Sequence, residues 1–479
     1  MSHQSSTAPS GSVAGTETSP TPAPVGKGIG VRGVVFLVAA GAAPLAAAVA
    51  VFPVVVSSSE SPVSPLFFVV AALALAVFAV GFTRMAHEVR DAGAFYDFVR
   101  AGLGQAFGRG AATLALVSYA LLFVALVAYL GASTGAAVEF FAGVVIPWWV
   151  WSTGWLTITG VLAYRDIALS TKILGVSLIF EVAIMLALDV VMVFRGGPEG
   201  TDASSLNPLH FTEGTPSLGL MFAFFGFVGF EATVIFRSEA RDAQRTIPRA
   251  TYISIVSIGL FYAFSLFAIA VGAGPDSLVA KATESPQSLI MDLALTFLGV
   301  FGRNAIQILV LVSLFGCFLT FHNVLARFTF NFGAAGLLPV GLGRAHPRHR
   351  APSRASVVVT VFGMLAIAGS VMLGLDPVLD VYTWFSGAAT LGIIVLMAFT
   401  SLAVMAYFRG HERGSWLTTF IAPAVSLMAF AGLIFLVVKN FPLLVGGNGV
   451  AVVLISLLTI ALVGGAGSSV LGKSSAASI

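Results

Sequence analysis

Cysteine is almost missing from this chain: Cys317 stands alone in 479 residues, inside an apolar segment. One thiol excludes an intrachain disulfide and argues against a Cys-based metal site. Charge is nearly as scarce, with 9% Asp, Glu, Lys and Arg against 58% hydrophobic residues and a mean hydropathy of +0.98. No water-soluble domain carries that balance, so the composition implies an all-α polytopic membrane protein. A net charge of +3, with basic residues scattered over short loops, gives no footing for a nucleic-acid partner. Paired carboxylates, a Ser-His pair and a metal-ligand cluster are absent, so no catalytic residue, metal or cofactor is expected. Without a glycine loop followed by Lys to cradle phosphate, ATP hydrolysis is not the expected drive. Residues 1–28 are rich in Ser, Thr, Pro and Gly and nearly uncharged, which reads as a disordered cytoplasmic tail and not as a signal peptide.

What is present is a series of long apolar runs. A 19-residue window predicts about twelve transmembrane helices, near 34–56, 66–84, 111–142, 147–163, 173–194, 217–236, 250–273, 304–330, 355–374, 379–406, 416–438 and 448–466. The less apolar stretch 284–300, with Pro286 and Asp292, is expected to lie on the outer face as an amphipathic helix. Lys and Arg accumulate in cytoplasmic loops. With the N-terminus inside, only Arg195, Lys281, Arg303 and Lys439 of the 24 basic residues fall outside. Both termini are therefore expected in the cytoplasm of a cell carrying this chain in its plasma or inner membrane.

Two of the runs contain residues that spoil a helix at mid-span: Gly41-Ala42-Ala43-Pro44 and Phe225-Gly226-Phe227-Val228-Gly229-Phe230-Glu231. They open spans one and six, so spans one to five and six to ten form two sets. Five being odd, the second set enters from the opposite face, which makes a 5+5 inverted repeat with broken helices 1 and 6. The expected divisions are 29–195, 196–408, and 409–479 for helices 11 and 12 with the C-terminal tail. Unwinding at mid-membrane frees N–H and C=O groups, tolerable only where they line a cavity or bind something; small residues that merely pack helices are the alternative.

Buried charge adds candidates, because an acid in hydrocarbon is costly and points to function. Glu231 follows the second break and would either accept a substrate ammonium or cap freed backbone. Glu181 lies inside span five and would either exchange a proton or pair with a hydroxyl such as Ser313. His322 in span eight would relay protons or serve as a packing residue. Asp189, Glu139 and Lys439 are expected to reach water from outer span ends. Phe224, Phe225, Phe227 and Phe230 flank the break, where aromatic faces can hold an ammonium.

These residues also carry a resemblance. Phe225 to Glu231, then Ser238-Glu239-Ala240-Arg241-Asp242 and Arg245-Thr246-Ile247-Pro248-Arg249-Ala250, resemble the sixth-helix pattern of the amino acid–polyamine–organocation (APC) superfamily. Arg90-Asp91-Ala92-Gly93-Ala94-Phe95-Tyr96 is similar to that superfamily's loop after helix two, and Gly336-Leu337-Leu338-Pro339 to its Gly-x-x-Pro after helix eight. The resemblance implies a secondary transporter whose small-molecule amino acid or amine substrate contacts Gly41, Ala42, Ala43, Pro44, Phe225, Gly226, Phe227, Gly229, Phe230, Glu231 and, from helix three, Tyr119. It also implies ion coupling at Glu181, which stands where many relatives carry a proton-linked Lys, with Ser313 and His322 as its companions and H+ as the expected ion. The departures matter. Gly41-Ala42-Ala43-Pro44-Leu45 stands where many relatives carry Gly-x-Gly at the first break, and its Pro, with Pro147-Trp148-Trp149-Val150-Trp151, looks like the polyamine-importing branch. Ala334-Ala335 replaces the usual Arg-Asp, which leaves an inner-gate salt bridge there unsupported. Import of an amino acid or related amine by proton symport is the expected function, with a polyamine importer and a non-transporting sensor as rivals.

Overall fold

The computed structural model describes residues 29–89, 95–165, 171–235, 240–346, 352–410 and 415–476. The tail 1–28, residues 90–94 of the helix-two loop motif, and Ser238 and Glu239 lie outside them. The described residues are helical, with no strand beyond two isolated bridges. In chain order the helices are α1 (Val31–Ala42), α2 (Pro44–Ala50), α3 (Phe52–Ser59), α4 (Ser64–Glu88), α5 (Phe95–Leu103), α6 (Gln105–Ala142), α7 (Trp148–Tyr164), α8 (Thr171–Arg195) and α9 (Pro216–Phe225). They continue with α10 (Ala232–Ile235), α11 (Ala243–Ala273), α12 (Pro275–Glu284), α13 (Leu289–Ala334), α14 (Ser353–Met372), α15 (Thr383–Phe408), α16 (Ala422–Leu444) and α17 (Asn448–Ala476).

Among the described residues, ten helices are long and apolar enough to cross a bilayer. Of the other two predicted spans, 147–163 falls on α7, with 17 residues, and 217–236 on α9, with 10. Gly299 takes φ 70° inside α13, so the segment before it, overlapping the expected amphipathic stretch, turns away from the long span that follows. Asparagine, proline and glycine punctuate the ends, but the bundle itself is fixed by apolar packing: α6 touches α5, α7, α13, α15 and α17. Its approach to α7 depends on Gly131, where a Cβ would strike the Ser152 hydroxyl that donates to Val127 O at 2.9 Å.

The two broken runs pack against each other on both sides of their breaks. α3 lies on α9, and α1 lies on α10. Backbone pairing reinforces the second contact, since Arg241 N–H donates to Ile29 O at 3.0 Å, tying the entry of α1 to the chain beyond α10.

Candidate functional site

The first break is narrow. Pro44 has no N–H and its ring cannot sit beside a helical carbonyl four residues back, so α1 cannot run through it. The residue before a proline is driven out of the α region, and Ala43 adopts φ 46°, ψ 67°, a left-handed conformation that costs an alanine about 1 kcal/mol. The polar groups this frees are taken by neighbouring helices. Tyr262 of α11 donates its hydroxyl to Ala42 O at 3.3 Å, and Leu45 N–H donates to the Glu181 carboxylate of α8. Pro53 repeats the problem nine residues on, releasing the carbonyl of Val49, and Tyr129 of α6 donates to it at 2.9 Å.

The second break is wide. From Gly226 to Glu231 the helix gives way to turns in which several N–H groups reach three residues back: Phe227 to Phe224 at 3.0 Å, Val228 to Phe225 at 3.0 Å, Phe230 to Phe227 at 3.1 Å. Gly229 interrupts that series at φ 107°, where a side chain would be strained. Its N–H donates instead to Glu231 Oε2 at 2.9 Å, while Tyr119 of α6 donates to Oε1 at 2.7 Å. Glu231 is 8% exposed. The carboxylate also accepts from its own backbone N–H, so about one of its roughly four lone-pair directions remains unspent.

Between the breaks lies a cavity of about 40 Å³. Gly41, Ala42 and Ala43 come to it from the first break and Phe225, Gly226 and Val228 from the second. Ala46, Ala47, Ala50, Val51, Leu122, Leu126, Leu314, Cys317, Phe321 and Tyr382 complete the wall, which holds no charged side chain. Of the predicted substrate residues, Pro44, Tyr119, Phe227, Gly229, Phe230 and Glu231 stand behind that wall. Phe227 packs on Phe68 and Tyr262, and Phe230 on Phe78, Phe82 and Phe95. Tyr119 connects the two layers, with its ring 6.0 Å from Phe321 and its hydroxyl on Glu231. Val228, Cys317 and Tyr382 were missed by sequence reasoning. Cys317 lies one turn beyond Ser313, and Tyr382 ends a widened turn (Pro377–Tyr382), next to the aromatic pair Trp384-Phe385 that opens the tenth predicted span.

Glu181 and Ser313 do meet. Ser313 donates to Glu181 Oε2 at 2.8 Å and Ser177 to Oε1 at 2.8 Å, so this carboxylate joins α8, α13 and the start of α2. His322 is not in that group. It sits nine residues beyond Ser313, some 13 Å along the helix, with Nε2 3.0 Å from Thr360 Oγ1 and its ring edge-on to Phe123. One expectation fails: Glu139 and Lys439 are exposed, but Asp189 is fully buried. α8 continues to Arg195, which keeps Asp189 well below the helix end, and the side chain faces α11, where Ser265 donates to its Oδ2 at 2.6 Å.

The description "amino acid permease" belongs to the family whose model matches residues 29–466. This chain belongs to that family. Among similar permeases, the low-affinity putrescine importer PlaP of Escherichia coli is 22% identical over 73% of this chain and 74% of its own length. The branched-chain amino acid permease BcaP of Bacillus subtilis is 25% identical over 71% and 73%, and the human Asc-type amino acid transporter 1 is 25% identical over 48% and 43%. Membership of the APC superfamily makes the chain a multi-pass membrane transporter for amino acids or amines, not an enzyme.

Proposed function

We propose that this permease imports a neutral amino acid, or a closely related amine, by alternating access. In this reading it has twelve spans with both termini cytoplasmic in the plasma or inner membrane, arranged as two inverted five-helix repeats (29–195 and 196–408) followed by helices 11 and 12 (409–479). The observation that carries it is the cavity enclosed by the two breaks, whose wall offers main chain and apolar surface but no charge. Main-chain N–H groups at the breaks can turn to a zwitterion's carboxylate when their present bonds open, and small apolar walls accept a small apolar side chain. A dication entering the same wall would lose water at both ends with no counter-charge to meet it. The positive-inside distribution supports the orientation, with 20 of 24 basic residues on one side. The pairing of α3 with α9 and of α1 with α10 supports the repeat.

A second reading, import of a polyamine or other organocation, draws on Glu231, one layer behind the wall through Tyr119 and with acceptor capacity in reserve. In either reading Glu231 reaches the substrate amine once the Tyr119 contact opens. Proteoliposomes separate the two: labelled branched-chain or small neutral amino acids should exchange by counterflow and putrescine should not. Putrescine counterflow without amino acid counterflow would replace the first reading by the second.

For the drive we propose proton symport through Glu181. Protonation removes the negative charge that Leu45 N–H, Ser177 and Ser313 converge on, and so loosens the tie between α8, α13 and the first break. That is the linkage alternating access requires: a change at the ion site felt at the substrate site. Glu181→Gln should keep counterflow but lose the response to an imposed pH gradient; uptake that still follows the gradient would assign coupling elsewhere.

A further inference from the structure

Asp189 is the most deeply buried acid among the described residues, with 0% exposure, and the mechanism above does not use it. Its Oδ2 meets one neutral partner, the Ser265 hydroxyl at 2.6 Å. Its Oδ1 is buried with no hydrogen-bond partner. Met185, Leu188 and Met192 flank it on α8, and Leu266, Ala268 and Ile269 flank Ser265 on α11, all fully buried. An ionised carboxylate is not sustained in such a seam on one hydroxyl.

The helices packed on α8 are α1, α2, α11 and α13. α2 carries no titratable group, and α1 has only Arg32 at its far end. α11 offers Tyr262, one turn from Ser265 and committed to Ala42 O; Tyr252 and its basic residues stand at the opposite end. α13 offers Asp292, Cys317, His322 and the basic residues Arg303 and Arg327, and α8 itself offers Glu181 and Arg195. None of these bonds to Asp189. With the acid neutral, Oδ2–H donates to Ser265 Oγ, and Oδ1 becomes a carbonyl oxygen, the buried polar atom most readily left unpaired.

Position adds a second argument. A cavity of about 780 Å³ is lined by Arg195, Gly196, Gly197 and Gly272 together with α12 and the start of α13. Arg195 is six residues beyond Asp189, roughly 9 Å along α8, and Glu181 is eight residues before it, roughly 12 Å. Asp189 therefore lies between that cavity, on the proposed outer side, and the carboxylate clamped to the first break.

We propose that the Asp189–Ser265 pair is a second proton-binding site of the transport cycle, loaded from the outer cavity when the α8–α11 seam opens. The carboxylate takes up one proton there and is neutral while the seam is closed. It returns to the carboxylate when the proton leaves to the inner side, so each cycle moves one proton more than Glu181 alone would carry. This rests on the proton-symport reading.

The test is proton stoichiometry in proteoliposomes with the membrane potential clamped. Each coupled proton multiplies the accumulation ratio about tenfold per unit of pH gradient. Asp189→Asn keeps shape and neutrality, so counterflow should match wild type while accumulation at a one-unit gradient falls about tenfold. Unchanged accumulation would overturn the proposal. Glu181→Gln measured alongside tells the failures apart: if it leaves coupling intact while Asp189→Asn does not, the Glu181 assignment falls and this one stands. If Asp189→Asn does not fold, infrared spectra of wild type and Ser265→Ala decide. A protonated-carboxyl band that shifts on loss of the serine supports the proposal, and no shift overturns it.

Discussion

The two helix breaks solve one problem in opposite ways. The first is a single residue wide: proline forces it, Ala43 absorbs it in a left-handed conformation, and the freed groups are taken by side chains from two other helices, Tyr262 and Glu181, while Tyr129 of a third holds the carbonyl that Pro53 frees just beyond. The second spans six residues, relieves its strain at Gly229, and is tied by its own Glu231 with one outside partner, Tyr119. A break held by its neighbours transmits their movement, whereas a break held by itself keeps its shape. The first therefore suits coupling to an ion on α8, and the second suits a fixed receptor for the ligand.

Substitutions can break or sharpen this contrast. Glu231→Gln should have the largest effect, because Gly229 and Tyr119 donate to different oxygens, one of which becomes an NH2 that cannot accept, and the charge is gone. Binding of an amino acid should weaken more than tenfold, about 1.4 kcal/mol, while an analogue lacking the amine is nearly insensitive. Equal loss for both ligands would make Glu231 purely a brace. Gly229→Ala comes next. Nothing lies within 4 Å of the added Cβ, so backbone strain alone should lower stability by about 1 kcal/mol or more, read as a lower thermal midpoint in detergent. Tyr262→Phe leaves the Ala42 carbonyl unpaired and should cost about 1 kcal/mol; because that tyrosine serves the first break, it should also blunt gradient-driven uptake, which Gly229→Ala should not. Ala43→Gly is the smallest change and has the opposite sign: relief of left-handed strain, less the entropy a glycine adds to the unfolded chain, leaves a gain of about 0.5 kcal/mol.

Much of this was legible beforehand. Proline and glycine inside apolar runs report backbone geometry directly, which is why both breaks were placed to within a residue or two, and a buried acid such as Glu181 needs a hydroxyl partner, which Ser313 supplied. The sources of the hydroxyls that hold the first break were not legible. Tyr129 and Tyr262 lie 80 and 220 residues from the carbonyls they serve, and only the packing of α6 and α11 brings them there. Asp189 was misplaced because distance from a helix end does not reveal which face a residue presents; its neighbour α11 turned an expected water contact into a dry one. The rest of the cavity wall, beyond the residues of the two breaks, escaped for a related reason, since Leu, Val and Cys at helical spacing look alike whether they face lipid, a neighbour or a substrate.

Orientation can be checked independently in a Cys317→Ala background: cysteines at Ser204 and Arg409, both exposed, should label from opposite faces of the membrane. The most direct test of the account is uptake by wild-type protein in sodium-free proteoliposomes under an inward pH gradient, beside the Glu181→Gln variant. The account predicts uphill accumulation of a neutral amino acid by wild type and, in the variant, counterflow without accumulation. Accumulation that requires sodium and ignores the pH gradient would contradict it.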